Sequence, residues 1–68
     1  MNTIGNLLRE VGNLQSSYQK LCRSNKLNKK TICNLVIPFR DKYNLTDLQA
    51  LQIARNELSV AEIADLLL

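Results

Sequence analysis

The chain has 68 residues with nine basic and six acidic side chains, a net charge of +3 and 46% apolar residues. This length and composition predict one small folded domain over residues 1–68, because disordered tails carry fewer apolar residues. The absence of histidine excludes a histidine-ligated metal site and a Ser–His–Asp triad. Since so short a chain also leaves no room for a substrate pocket of ordinary size, we expect a protein that is not an enzyme and uses no cofactor.

The two cysteines, Cys22 and Cys33, are fewer than a secreted domain of this size normally carries. Arg9 and Glu10 interrupt the only candidate for an apolar leader segment, and no stretch is long enough to span a membrane. We therefore expect a cytoplasmic protein without a membrane partner. We expect both cysteines to have reduced thiols and to be small side chains buried in the core packing.

Glycine and proline are sparse and strict apolar–polar alternation is absent, which predicts an all-α protein. The first helix should begin at an N-cap on Thr3, continue with the apolar series from Ile4 to Val11, and end at Gly12. A second helix should begin at Ser16 or Ser17 and end near residues 24–25.

Three further helices complete a predicted compact bundle of about five short helices. Asn28 should cap the third helix, which should end at Pro38 or just before it, and residues 38–45 should form a longer connection. Thr46 should cap the fourth helix. Ser59 should begin the fifth, because Glu62 follows it at the spacing of a capping box.

Charge is distributed unevenly along the chain. Residues 1–40 carry a net charge of +6, and residues 41–68 carry a net charge of −3. Between Val11 and Phe39 there are five basic side chains and no acidic one. This stretch is either a solvated face that keeps a small domain soluble or a surface that binds phosphates.

The segment from Ser16 to Val36 has the layout of a helix-turn-helix. Cys22 is the small residue expected where the two helices cross, Leu27 is the apolar residue after the turn, and Ile32 and Leu35 should face inward. The outward positions of the third helix suit base edges and phosphates of a DNA major groove. They are Asn28, Lys29, Lys30, Cys33 and Asn34.

Four segments together resemble the Cro/repressor-type helix-turn-helix regulators of phages and bacteria. They are residues 1–11 (MNTIGNLLREV), 18–22 (YQKLC), 27–35 (LNKKTICNL) and 48–67 (LQALQIARNELSVAEIADLL). The resemblance implies a lambda-repressor-like domain that represses transcription. Such a domain binds double-stranded operator DNA through its third helix and acts as a homodimer.

The resemblance also assigns roles by position. DNA contacts are expected at Ser17, Tyr18, Asn28, Lys29, Lys30 and Asn34, and the helix amides near Ser16 and Ser17 should meet a phosphate. Further phosphate contacts are expected from Arg23, Lys26 and Arg40. Lys26 stands where the family has a turn glycine, so Asn25 should take the left-handed conformation if the turn is shifted.

A protein-interaction module on the same fold is the alternative. It would be an antirepressor that binds another phage repressor protein and alters its DNA binding. Three apolar side chains support this alternative: Val36, Ile37 and Phe39. At the carboxyl end, Leu66 and Leu68 are candidate dimer contacts, although Leu66 or Leu67 could instead complete the core.

Overall fold

Four helices form the described part of the chain. The computed structural model describes the backbone of residues 3–68 and the side chains of residues 5–68. The helices are α1 (Thr3–Arg23), α2 (Lys29–Tyr43), α3 (Asp47–Ala54) and α4 (Val60–Leu67). The all-α prediction is confirmed, but the prediction of five short helices is wrong. The side chains of Thr3 and Ile4, which the predicted N-cap and first apolar position involve, lie outside the described residues.

Helix α1 replaces the first two predicted helices. Gly12 does not end a helix and has no positive φ. A glycine inside a helix costs about 0.5–1 kcal/mol relative to alanine. Leu7, Val11 and Leu14 are buried and Tyr18 packs against the core. Their spacing places all four on one stripe across the predicted break, and burying each large apolar side chain contributes about 1.5–3 kcal/mol. This burial outweighs the cost of Gly12.

Helix α2 continues through Pro38, so the predicted end at Pro38 and the predicted connection over residues 38–45 are both wrong. Proline removes one helical hydrogen bond and costs about 3 kcal/mol inside a helix. Val36 and Phe39 on either side of Pro38 are buried. The centroid of the Tyr43 ring lies 4.8 Å from the centroid of the Phe39 ring. A helix that ended before Pro38 would lose this packing. Pro38 itself faces solvent.

Asparagine ends three of the helices. Asn25, Asn44 and Asn56 have φ values of 56°, 54° and 59°, a left-handed conformation that asparagine tolerates better than most residues. After α1, the Asn25 amide donates to the Cys22 carbonyl at 3.2 Å and the Lys26 amide donates to the Leu21 carbonyl at 2.9 Å. This is the Schellman pattern. The expected shift of the left-handed residue from Lys26 to Asn25 is confirmed.

The helix starts follow the sequence rules closely. Asn28, Thr46 and Ser59 are the N-caps of α2, α3 and α4, and each forms a capping box. In the box at α4, the Ser59 hydroxyl accepts from the Glu62 amide at 3.2 Å, and the Ser59 amide donates to the Glu62 carboxylate at 3.0 Å. The three predicted caps are confirmed.

One hydrophobic cluster unites the four helices. Its buried members are Val11, Leu14, Val36, Phe39, Ala50, Ile53, Ala54 and Ile63. Leu66 and Leu67 are half-buried and pack against it, so Leu66 contributes to the core. No side chain between Leu14 and Val36 is fully buried. The core therefore lies away from the turn that joins α1 to α2.

No helix within residues 3–68 is both long enough and apolar enough to cross a membrane. Helix α1 has 21 residues, but it carries four charged side chains: Arg9, Glu10, Lys20 and Arg23.

Candidate nucleic-acid interface

Five basic side chains surround the turn between α1 and α2. They are Lys20, Arg23, Lys26, Lys29 and Lys30, and all of them are exposed. Lys20 and Arg23 belong to the last turn of α1, Lys26 to the connection, and Lys29 and Lys30 to the start of α2. Because the turn brings the two helix ends together, these five residues form one positively charged surface, here named the basic end.

Among the side chains of residues 5–68, three of the four remaining cations, Arg40, Lys42 and Arg55, form ion pairs, and Arg9 forms none. Arg40 donates to Asp41 at 2.9 Å and also to Asp47. Both hydrogen bonds raise the pKa of Arg40, and the bond to Asp47 has the larger effect. Arg55 lies 3.3 Å from Glu57.

Lys42 donates to Glu10, and this hydrogen bond raises the pKa of Lys42. Hydrogen bonds from Lys42 and then from Tyr43 lower the pKa of Glu10. Within the described side chains, no residue of the basic end takes part in an ion pair. The fold therefore neutralises charge along α2 and α3 and leaves it uncompensated at the basic end.

Two of these cations oppose the dipole of the helix that carries them. Lys29 and Lys30 occupy the first turn of α2, which contains no acidic residue, whereas the first turns of α3 and α4 contain Asp47 and Glu62. Positive charge at a helix amino terminus is unfavourable by about 0.3–1 kcal/mol for each exposed side chain. Local stability at the helix start thus does not explain why lysine stands at these two positions.

The structure brings part of the predicted site together. Lys29, Lys30 and Asn34 are exposed on α2, and Arg23 and Lys26 are exposed next to its start. Lys30 and Asn34 are four residues apart and share one face of the helix. Lys20, to which the sequence analysis assigned no individual DNA contact, joins them because it lies three residues before Arg23 in the last turn of α1. The sequence already pointed to Lys20 as part of a basic surface, because residues 12–38 contain no acidic side chain.

Other predicted DNA contacts are corrected. Ser17 lies inside α1, so the amides near Ser16 and Ser17 are engaged in the helix and do not form a phosphate site at a helix start. Tyr18 packs against the core. The Asn28 side chain accepts from the Thr31 amide at 2.9 Å and is used as the N-cap. Ser17 and Tyr18 therefore belong to a continuous helix, and the Oδ1 atom of Asn28 is engaged in capping α2.

Arg40 and Cys22 also differ from expectation. The guanidinium of Arg40 is held by Asp41 and Asp47, so it is not available to a phosphate. Cys22 is exposed and Cys33 is half-buried, and neither forms a disulfide. Cys22 therefore is neither a buried packing residue nor the small contact between two crossing helices.

The apolar residues assigned to a protein interface divide into two groups. Val36 and Phe39 are buried in the core, so they are not surface contacts. Ile37 is 37% exposed and lines an open groove of about 290 Å³ between α2 and α3, here named the α2–α3 groove. Leu68 is 72% exposed at the end of the chain. Of the five residues assigned to that interface, Ile37 and Leu68 are exposed, and Leu66 is half-buried.

The described residues contain no cluster of three or more cysteine and carboxylate side chains able to hold a metal ion. Comparison with protein-family models, with curated proteins and with solved structures finds no match to this chain.

Proposed function

We propose that this protein is a small DNA-binding regulator that holds the phosphate backbone of duplex DNA with its basic end. The observation that carries the proposal is the set of five exposed cations without acidic partners around one turn. Lysine and arginine that neutralise phosphates release condensed counterions, and this release drives binding. The position of Lys29 and Lys30 against the dipole of α2 supports the same ligand.

Base contacts in this proposal come from the outer face of α2. Lys30 can donate to guanine, and Asn34 can pair with adenine through two hydrogen bonds. The phosphate contacts then fix the position of the protein along the DNA without reading its sequence, and they come from Lys20, Arg23 and Lys26. The alternative, an antirepressor that binds another repressor, retains less support, because Val36 and Phe39 stabilise the core and leave Ile37 as its remaining apolar contact on α2.

The test is a fluorescence anisotropy titration of the full chain with a labelled random duplex at several salt concentrations. If the five cations each meet one phosphate, the logarithm of the association constant should fall with the logarithm of salt with a slope of about −4 to −5. Lys26→Gln should reduce the magnitude of that slope by about 0.9. Arg9→Gln is the matched control, because Arg9 is exposed on α1 away from the basic end, and it should leave the slope unchanged.

A second measurement separates base reading from backbone binding. Selection from a random duplex pool should return a shared sequence for the natural chain, and Asn34→Ala should weaken binding to that sequence by about 1–3 kcal/mol. The same variant should bind random duplex as tightly as the natural chain does. Absence of binding to any duplex at low salt would exclude the proposal.

A further inference from the structure

The α2–α3 groove is an open depression with mostly apolar walls. Its apolar lining consists of Ile32, Cys33, Val36, Ile37 and Leu51. Leu48 lies at its edge, because it follows Asp47 and precedes Leu51 by three residues, and both of those residues line the groove. Ile37 is 37% exposed and Leu48 is 63% exposed. Apolar surface left open between two helices is suited to the apolar face of a third helix.

The two ends of this groove differ in charge. At one end Arg40 and Asp47 both line it and form an ion pair, so their charges offset each other. At the other end Lys29 lies four residues before Cys33, on the same stripe of α2. Lys29 is exposed and has no acidic partner among the described side chains. The amides of the first turn of α2 add partial positive charge there, so this end of the groove attracts negative charge.

The dimensions of the groove fit a short helix. The stripe from Lys29 to Arg40 is about 16 Å long at the helical rise of 1.5 Å per residue, which corresponds to about three turns of a second helix. The candidate base contacts Lys30 and Asn34 lie on a neighbouring face of α2 and do not line the groove. The groove is therefore a separate surface, which meets the basic end only at Lys29.

We propose that the α2–α3 groove binds an amphipathic helix of a partner protein, with acidic side chains at the end of that helix that meets Lys29. The apolar face of the partner would cover Ile37, Leu48 and Leu51. An acidic end is favoured by Lys29 and by the dipole of α2, and a basic end is repelled by both. This proposal goes beyond DNA binding, does not depend on it, and is tested without DNA.

The experiment is a fluorescence anisotropy titration of a labelled synthetic peptide with the full chain. The peptide is about four turns long, with leucine at every third or fourth position, alanine and glutamine elsewhere, and glutamate confined to its last turn. A second peptide has lysine in place of each glutamate. The acid-ended peptide should bind with a Kd below about 100 µM, and the base-ended peptide should bind at least about fivefold more weakly.

Variants of the chain locate the binding surface. Leu48→Glu should weaken binding of the acid-ended peptide at least about tenfold, because it places a charge at the apolar edge. Leu8→Glu is the matched control, since Leu8 is 43% exposed on α1 and does not line the groove, and it should bind like the natural chain. Circular dichroism melting checks that each variant folds, and Ile37→Glu replaces Leu48→Glu if that chain does not.

A charge reversal tests the end of the groove. Lys29→Glu should weaken the acid-ended peptide and strengthen the base-ended peptide, each about two- to fivefold, and Arg9→Glu should change neither. A Kd above about 1 mM for the acid-ended peptide, equal binding of the two peptides, or binding that survives Leu48→Glu would each overturn the proposal. Self-association of the natural chain that Leu48→Glu abolishes would assign the groove to a second copy and would likewise overturn it.

Discussion

Replacing Lys30 by glutamate should stabilise the fold while it weakens DNA binding. Lys30 lies in the first turn of α2, where the helix amides present partial positive charge and no acidic side chain is present. Lys26 and Lys29 add further positive charge nearby. A carboxylate in place of the Lys30 ammonium would replace an unfavourable charge by a favourable one at an exposed position. Opposite effects on stability and on binding are expected where a residue is kept for function.

The magnitude follows from two similar contributions. Removing the cation and adding an anion each change the free energy of unfolding by about 0.3–1 kcal/mol at low salt, so the sum is about 1 kcal/mol. For a domain of this size, 1 kcal/mol raises Tm by about 4–8 °C. Lys30→Gln removes the charge without reversing it and should give about half of that increase. Both increases should shrink as salt is added, because salt screens exposed charges.

The assay pairs thermal unfolding, followed by circular dichroism at low and high salt, with anisotropy titration on random duplex DNA. Arg9→Glu is the control for binding, because it changes the net charge by the same amount outside the basic end. Lys30→Glu should reduce the magnitude of the salt slope by at least about 0.9, and Arg9→Glu should leave it unchanged. An unchanged or lower Tm for Lys30→Glu at low salt would refute the dipole argument. Unchanged DNA affinity would refute the role of Lys30 at the interface.

Three other changes test the fold. Gly12→Ala should raise the free energy of unfolding by about 0.5–1 kcal/mol in urea unfolding, because a Cβ at Gly12 meets no atom within 4 Å; a loss of stability would contradict the continuous α1. Asn44→Ala should cost about 1 kcal/mol, since alanine is strained in the left-handed conformation, and Asn44→Gly is the control that should not lose stability. Glu10 has its pKa lowered by Lys42, so its stabilising contribution is complete above about pH 4.3 and is lost as the pH falls through the lower folded value. Urea unfolding across pH 2–6 should therefore show a smaller acid-side loss for Glu10→Gln, and an identical pH profile would refute the assignment.

Local rules predicted the starts of α2, α3 and α4 and the end of α1, but they also predicted a helix start at Ser16 or Ser17 that the structure does not have. Asn28, Thr46 and Ser59 cap helices because each capping box depends on residues three apart, which the sequence displays directly. Asn25 ends α1 for a similarly local reason, because its side chain tolerates a positive φ.

The failures occurred where tertiary packing overrides local preference. Gly12 and Pro38 are the signals that normally end helices, but burial of the apolar residues on both sides of each one keeps α1 and α2 intact. The continuation of α2 has a consequence for the site. Arg40 becomes a helical residue that reaches Asp47 at the start of α3, a pairing that depends on the path of the chain and cannot be read from the spacing of residues.

The distance between the core and the basic end affects how DNA would be bound. Since no side chain between Leu14 and Val36 is fully buried, the last turns of α1 and the first turns of α2 depend mainly on their caps and on half-buried contacts. Such segments open locally at a smaller free energy than the rest of a domain, and their amide protons exchange faster. Contact with a phosphate backbone would restrict this opening, and part of the binding free energy would offset the lost conformational entropy. Amide exchange over residues 19–31 should therefore slow on DNA far more than exchange in α3, and salt should reverse the difference.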